Sequence, residues 1–181
     1  APETYLKLGP MAIYRDDKFI AYATEDESQN INILNDNIDD IKYNFQYNDM
    51  LVAYTSDSLK TKITVKSPSN LEIKVSSTGF ISEINGNVDL EKKETIKKMQ
   101  EKLSNSVKKD LEKTLKSLQN KYQADVIGFG NMIYKKYPDK WKKFEKNWNE
   151  TYFPDLNIEV KTDFTIEASG SLDQTIKEVL T

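Results

Sequence analysis

Two reactive residue types are missing from this chain, because its 181 residues include no cysteine and no histidine. Without cysteine there is no thiol nucleophile and no disulfide framework, and zinc sites built from either residue are impossible. The lack of histidine also excludes a Ser-His-Asp triad and removes the commonest acid–base group at neutral pH. The composition therefore favours a non-enzymatic protein with no catalytic residues and no metal or other cofactor.

Long apolar runs are missing as well. No stretch approaches the ~18 apolar residues that a membrane-spanning helix needs, and the N-terminus has no apolar signal-peptide core. With 38% hydrophobic and 30% charged residues, the chain has the composition of a single globular domain. We expect this chain to be soluble by itself.

Charge is unevenly distributed along the chain, whose net charge is -3. Residues 91–147 carry 16 lysines and 8 acidic residues, whereas both flanking segments are acidic. The simplest interpretation is a lysine-rich solvent face on a long helix, and the alternative is a surface for anionic lipid or an acidic partner. Nucleic acid is not expected, because the lysines alternate with glutamates and Arg15 is the only arginine.

The first half of the chain has the pattern of β structure. Residues 1–24 predict a hairpin around a polar turn at 15–18, and Thr24 with Glu27 forms a capping-box pattern for a short helix. Residues 50–84 predict strands, since 62–66 and 71–76 alternate apolar with polar residues around a turn. Alternation of this kind suits an antiparallel hairpin with one face in water.

Residues 90–123 predict one long helix that Asp89 would cap. Its apolar residues recur every three or four positions, which is the period of one helical face: Ile96, Met99, Leu103, Val107, Leu111, Leu115, Leu118 and Tyr122. Such a stripe spans the width of a small domain and needs an equally long partner. A twisted antiparallel sheet is the preferred partner, and a coiled-coil helix is the alternative.

Two shorter helices are predicted within residues 125–150. Asp125 would cap the first, from about 126 to 137, in which Gly128 and Gly130 indicate close packing against another backbone. A dinucleotide-binding loop is rejected for this Gly-x-Gly, because a helix and not a strand precedes it. Asp139 would cap the second helix.

Aromatic residues in the second helix share one face, since Trp141, Phe144 and Trp148 are spaced at i, i+3 and i+7. Core packing is the preferred interpretation, and an exposed patch for a partner is the alternative. Residues 156–168 then alternate strictly, which predicts a long half-buried strand. The pattern as a whole predicts an α+β fold: an antiparallel sheet of about four to five strands, one long helix across a face, and shorter helices at its end.

Several short motifs occur in an order that resembles the C-terminal domain of the Ger(x)C (GerAC-like) family, the C subunit of bacterial spore germinant receptors. They begin with the hairpin sequence at 11–18 and the strand sequence at 73–83. They continue through the helix end at 119–125, Tyr-Pro-Asp-Lys-Trp at 137–141, and the alternating strand at 158–166. Seven residues within and between these motifs match the family pattern, and we expect them to act as caps, close contacts and core: Asp125, Gly128, Phe129, Gly130, Trp141, Trp148 and Pro154.

The resemblance implies a non-enzymatic receptor subunit that acts in nutrient-triggered spore germination. It implies A and B subunits as partners and a lipid anchor on the outer face of the spore inner membrane. No cysteine for such an anchor is present here, so we expect residues 1–181 to be a single C-terminal domain with the anchor upstream. The resemblance supplies no catalytic residues.

Two rival functions remain open at the level of the sequence. The first is a lipid- or partner-binding module that uses the lysine face of residues 92–121. The second is a carboxylate-dependent hydrolase, which would need two acids with separated pKa values in one cleft.

Overall fold

A four-stranded sheet with helices on one face forms the body of the protein, and a separate hairpin lies beside it. The computed structural model describes residues 10–167; the predicted extended segment within residues 1–9 and the predicted strand residue Ala168 lie outside these residues. The strands are β1 (Ala12–Arg15), β2 (Lys18–Tyr22), β3 (Lys42–Tyr47), β4 (Met50–Ser67), β5 (Asn70–Ile84) and β6 (Asn157–Ile166). The α-helices are α1 (Glu25–Leu34), α2 (Lys93–Lys116), α3 (Phe129–Lys136) and α4 (Pro138–Phe144).

The predicted α+β fold with a sheet of four to five strands is confirmed, but the sheet is mixed and not purely antiparallel. Its order is β3-β4-β5-β6, with antiparallel pairs β3–β4 and β4–β5. Strand β6 pairs with β5 in parallel, from Asn70 beside Asn157 to Gly79 beside Ile166. The helical segment between these strands crosses the sheet and returns the chain to the end at which β5 began, which makes the pair parallel.

Helix α2 lies across one face of the sheet, as predicted. All the predicted stripe residues are buried except Ile96, which is partly buried. They face the buried side chains of β6, among them Val160 and Phe164, while the charged residues that alternate with these in β6 are exposed. Burial of apolar surface stabilises this contact by about 25 cal/mol per Å².

The predicted N-terminal cap is present in α1 but not in α2. The capping box of α1 is confirmed, because the Glu27 N–H donates to the Thr24 hydroxyl and the Thr24 N–H donates to the Glu27 carboxylate. Asp89 does not cap α2: the helix begins at Lys93, and no side chain caps it. Asp89 instead accepts a bond from the Glu91 N–H and pairs with Lys92, which satisfies its carboxylate one turn before the helix starts.

Polar side chains of α2 close part of the outer edge of β6. The N–H of Phe164 donates to the Ser104 hydroxyl, and the N–H of Ile166 donates to the Gln100 amide oxygen. The Thr162 hydroxyl donates to the Ser104 carbonyl. An edge strand with unpaired N–H groups is prone to unwanted pairing, so these bonds both dock the helix and protect the edge.

Candidate functional site

Asp125 lies at the centre of the residues that were singled out in the sequence. Its Oδ1 accepts hydrogen bonds from the N–H groups of Gly128 (2.9 Å) and Phe129 (3.0 Å). Its Oδ2 accepts from the Gly130 N–H (2.7 Å) and from the indole Nε1 of Trp148 (2.9 Å). Each oxygen therefore has two donors, which leaves this carboxylate committed to holding the chain. We call Asp125, Gly128, Phe129, Gly130 and Trp148 the Asp125 cluster.

The helix that Asp125 caps is shorter than predicted. It begins at Phe129 and not at about Val126, and Gly128 occupies the cap position. The chain makes a turn over residues 125–128 first, in which the Gly128 N–H also approaches the Asp125 carbonyl. Asp125 reaches across this turn to the first free N–H groups of α3, which a helix N-terminus leaves without backbone partners.

The two glycines of the cluster are required for different reasons. Gly128 has φ +81° and no atom within 4 Å of where a Cβ would lie, so its conformation and not close packing explains it. Gly130 packs closely, but against rings and not backbone. A Cβ there would lie 2.6 Å from Cη2 of Trp141 and 2.9 Å from Nε1 of Trp148. The predicted close packing against another backbone is therefore wrong for Gly128. Gly130 is closely packed as predicted, but its neighbours are tryptophan rings and not backbone.

The aromatic residues stack on the cluster in a continuous series. Trp141 lies 5.1 Å from Trp148, and Trp148 lies 6.0 Å from Phe153, measured between ring centroids. Phe129 and Phe153 are fully buried, Trp148 is nearly so, and Trp141 is partly exposed. The partly buried Pro154 follows Phe153 in the turn that leads to β6.

The second short helix starts differently from the prediction. Pro138 is its first residue, and no side chain caps it, so Asp139 is not its cap. Proline suits that position because its missing N–H would have no helical partner. Helix α4 ends at Phe144, and Trp148 begins a π-helical turn (Trp148–Tyr152).

Two π-helical turns flank the Asp125 cluster. One continues α2 over Ser117–Tyr122, and the other is Trp148–Tyr152. Gln119, in the first, donates from its amide to the carbonyls of Phe153 (2.9 Å) and Leu156 (2.8 Å). The Asp125 N–H donates to the Asn149 side chain. Gln119 and Asn149 thus complete the connection between the two turns, a role that periodicity and capping patterns did not predict for either residue.

Part of the lysine face lines a depression at the end of α2. Lys109, Lys113, Lys116 and Lys121 line a shallow depression with one acid, Glu112. Nearer the start of the helix, Lys98 pairs with Glu94, and Lys108 pairs with Glu112 at the border of the depression. We call the surface lined by Lys109, Lys113, Lys116 and Lys121 the basic depression.

Across residues 10–167, no group of three or more acidic side chains is placed to hold a metal ion. None of the helices that the structure describes is long and apolar enough to cross a membrane.

Comparison with known proteins gives a consistent result. Residues 10–170 match the family model described as spore germination B3/GerAC like, C-terminal. In Bacillus subtilis (strain 168), spore germination protein KC is 32% identical over 107 residues, which is 59% of this chain and 26% of that protein. Spore germination protein YndF of the same strain is 28% identical over 124 residues, 67% of this chain and 30% of that protein.

A solved structure shares the fold. The crystal structure of the GerBC protein matches with a TM-score of 0.71 at 17% identity, over 84% of this chain and 48% of that one. The chain thus spans less than half of the length of each of these relatives. The family match covers the whole cluster around Asp125, and the chain belongs to the GerAC-like family of spore germination proteins, the C subunits of germinant receptors.

Proposed function

We propose that this chain is the C-terminal domain of a non-enzymatic subunit of a spore germinant receptor. It acts in nutrient-triggered germination through protein–protein contacts with the A and B subunits. The parent protein works at the outer face of the spore inner membrane, where an upstream lipid anchor holds it. The observation that carries the proposal is the family match over residues 10–170.

The geometry of the Asp125 cluster supports a structural role for the seven family-pattern residues. Both oxygens of the carboxylate are occupied by N–H donors from the chain itself. A catalytic acid or base must be free to reach a substrate proton. This supports a structural role for Asp125 and its partners, and we infer that the function of the domain lies on its surfaces.

The small cleft between α1 and α2 argues against the hydrolase alternative. It encloses about 110 Å³ and is lined by acids, among them Glu27 and Asp110. Burial raises the pKa of Glu27, but hydrogen bonds from the Thr24 N–H and the hydroxyls of Tyr122 and Ser117, with the charge of Lys121, lower it more. A general acid at neutral pH needs a raised pKa, so this carboxylate is tuned in the wrong direction.

Co-purification from dormant spores tests the proposal. The parent protein, carrying an affinity tag, should recover the A and B subunits of the same receptor from solubilised spore inner membranes. A tagged lipoprotein of unrelated fold, expressed at the same level, is the control. Recovery of the two subunits no greater than with the control would contradict the proposal.

The basic depression supports a second candidate, a module that binds anionic lipid. Lys109, Lys113 and Lys116 lie on one side of α2 with little compensating acid. If this candidate is right, the chain will sediment with phosphatidylglycerol vesicles at low salt and less at physiological salt, because exposed charges are screened. The variant K109E/K113E/K116E should then lose binding, whereas K98E, at a neutralised position, should not. No sedimentation at low salt removes this candidate.

A further inference from the structure

Asn85 and Gly86 form the only Asn-Gly pair of the chain, and both residues are exposed. The pair opens the connection between Ile84, at the end of β5, and Lys93, at the start of α2. An asparagine side chain carries an electrophilic amide carbon, which the backbone nitrogen of the next residue can attack. Glycine crowds that nitrogen least because it has no side chain, so an asparagine before glycine is the most labile of these thermolabile residues.

The two reacting groups are free in the folded chain. The Asn85 N–H is held, because it donates to the Leu51 carbonyl (2.9 Å) where the β4–β5 hairpin ends. The Asn85 side chain and the Gly86 N–H, in contrast, make no hydrogen bond with any residue between 10 and 167. Exposed backbone without hydrogen bonds is the part of a fold that moves most easily. The attacking nitrogen and its target are therefore both available without unfolding.

The conformation of the turn requires Gly86 but does not require Asn85. Gly86 has φ +147°, a region that residues with a side chain rarely adopt, and a Cβ there would lie 2.5 Å from Sδ of Met50. The Asn85 side chain has no partner that another polar turn residue, such as serine or aspartate, would lose. The fold thus fixes the glycine and leaves the labile asparagine before it without a structural role.

We propose that Asn85 and Gly86 form a self-modification site, at which the folded chain converts Asn85 to aspartate and isoaspartate without an enzyme. The deprotonated Gly86 nitrogen forms a bond to Cγ of Asn85, the Cγ–Nδ2 bond breaks, and Nδ2 takes up a proton and leaves as ammonia. Water then opens the five-membered imide. Attack at Cγ restores the peptide path and gives aspartate, whereas attack at the backbone carbonyl carbon gives isoaspartate.

Each product changes the connection between β5 and α2. Both replace a neutral amide with a carboxylate, which takes the net charge of the chain from -3 to one unit more negative. Isoaspartate also routes the backbone through the former side chain, which adds a methylene directly after the Asn85–Leu51 hydrogen bond and moves Gly86 away from Met50. The reaction needs only the folded chain and water, so it is independent of the proposed function.

Peptide mass mapping of the folded 181-residue chain, incubated in mildly alkaline buffer, tests the proposal. It follows the mass gain that accompanies replacement of NH₂ by OH at each asparagine. Asn87 is the matched internal control, since it is exposed in the same connection but precedes Val88, whose branched side chain crowds the attacking nitrogen. Asn85 should react at least about tenfold faster than Asn87. The reaction should be slower in mildly acidic buffer, because the nitrogen must lose its proton.

The variant Asn85→Gln keeps an amide at this position but moves its carbon one methylene farther from the Gly86 nitrogen. It should fold as wild type does and lose the mass gain at position 85. Conversion of Asn85 no faster than that of Asn87, or an undiminished gain in the glutamine variant, would overturn the proposal. Conversion of Asn85 only after unfolding in urea would also overturn it, because the turn would then hold the reacting atoms apart.

Discussion

Asp125 organises its surroundings at the scale of single residues, because one carboxylate satisfies three backbone N–H groups and an indole. Its capping role could be predicted from residue type and position. The bond to Trp148, which lies 23 residues farther along the chain, could not. Sequence spacing describes neighbours on one element, and this contact depends on how two irregular turns fold back on each other.

Removing the Asp125 carboxylate should therefore destabilise the domain. Asp125→Ala leaves four donors without their acceptor, and we expect a loss of about 2–3 kcal/mol in the free energy of unfolding. Asp125→Asn keeps one oxygen and should lose less. Urea unfolding of the chain measures both, with Asp139→Ala, an exposed acid paired only loosely with Lys142, as the control. An alanine variant as stable as wild type would contradict the capping role.

Alanine substitutions should separate the roles of the two glycines. Gly130→Ala forces the rings of Trp141 and Trp148 to move, and overpacking of this kind costs about 1–3 kcal/mol. Gly128→Ala meets no neighbour but must hold a left-handed conformation, which costs about 1 kcal/mol. Only the Gly130 variant should shift the tryptophan fluorescence spectrum. Equal shifts in both variants would show that the two positions are not distinct.

At the scale of helices and strands, sequence periodicity predicted which side chains are buried but not the direction of each strand. The stripe of α2 and the alternation of β5 and β6 predicted which side chains are buried, since burial sets those periods. Alternation is the same for a parallel or an antiparallel strand with one covered face, so it did not reveal the direction of β6. Direction follows from the path of the connecting helices, which depends on long-range packing.

Glu27 connects two elements, and its contribution should depend on pH. Its carboxylate caps α1 and accepts a bond from the Tyr122 hydroxyl at the end of the π-helical turn. Its pKa is below the ordinary value of 4.5, so the charged form stabilises the fold above that pH. This stabilisation is lost as the pH falls through the lowered folded pKa.

Glu27→Gln should accordingly lower the free energy of unfolding at pH 7 by about 1 kcal/mol. The difference from wild type should shrink in acid, because a protonated glutamate resembles glutamine. Urea unfolding at a series of pH values measures it, with Glu25→Gln, an exposed first-turn acid, as the control. If the difference in free energy of unfolding between the variant and wild type stays constant down to about pH 3, the charge of Glu27 is not the source of the stabilisation.

At the scale of the whole molecule, the elements divide into a structural interior and separate charged and aromatic surfaces. Among the family-pattern residues, Phe129, Gly130 and Trp148 are buried, while the basic depression faces solvent. The lysine surplus was visible in the sequence, but the depression that four of these lysines line was not. The exposed rings of the β1–β2 hairpin could not be grouped from the sequence either, because only the bulge in β2 places Phe19 and Tyr22 on one face.

The central claim is that the parent protein serves a germinant receptor, and a gene deletion tests it most directly. Spores of the deletion strain should be followed by the fall in optical density after single nutrients and after triggers that bypass nutrients. We predict that the response to one nutrient or nutrient mixture is lost, that the parent gene restores it, and that the other triggers act normally. Normal germination of the deletion strain with every nutrient to which the wild type responds would contradict the claim.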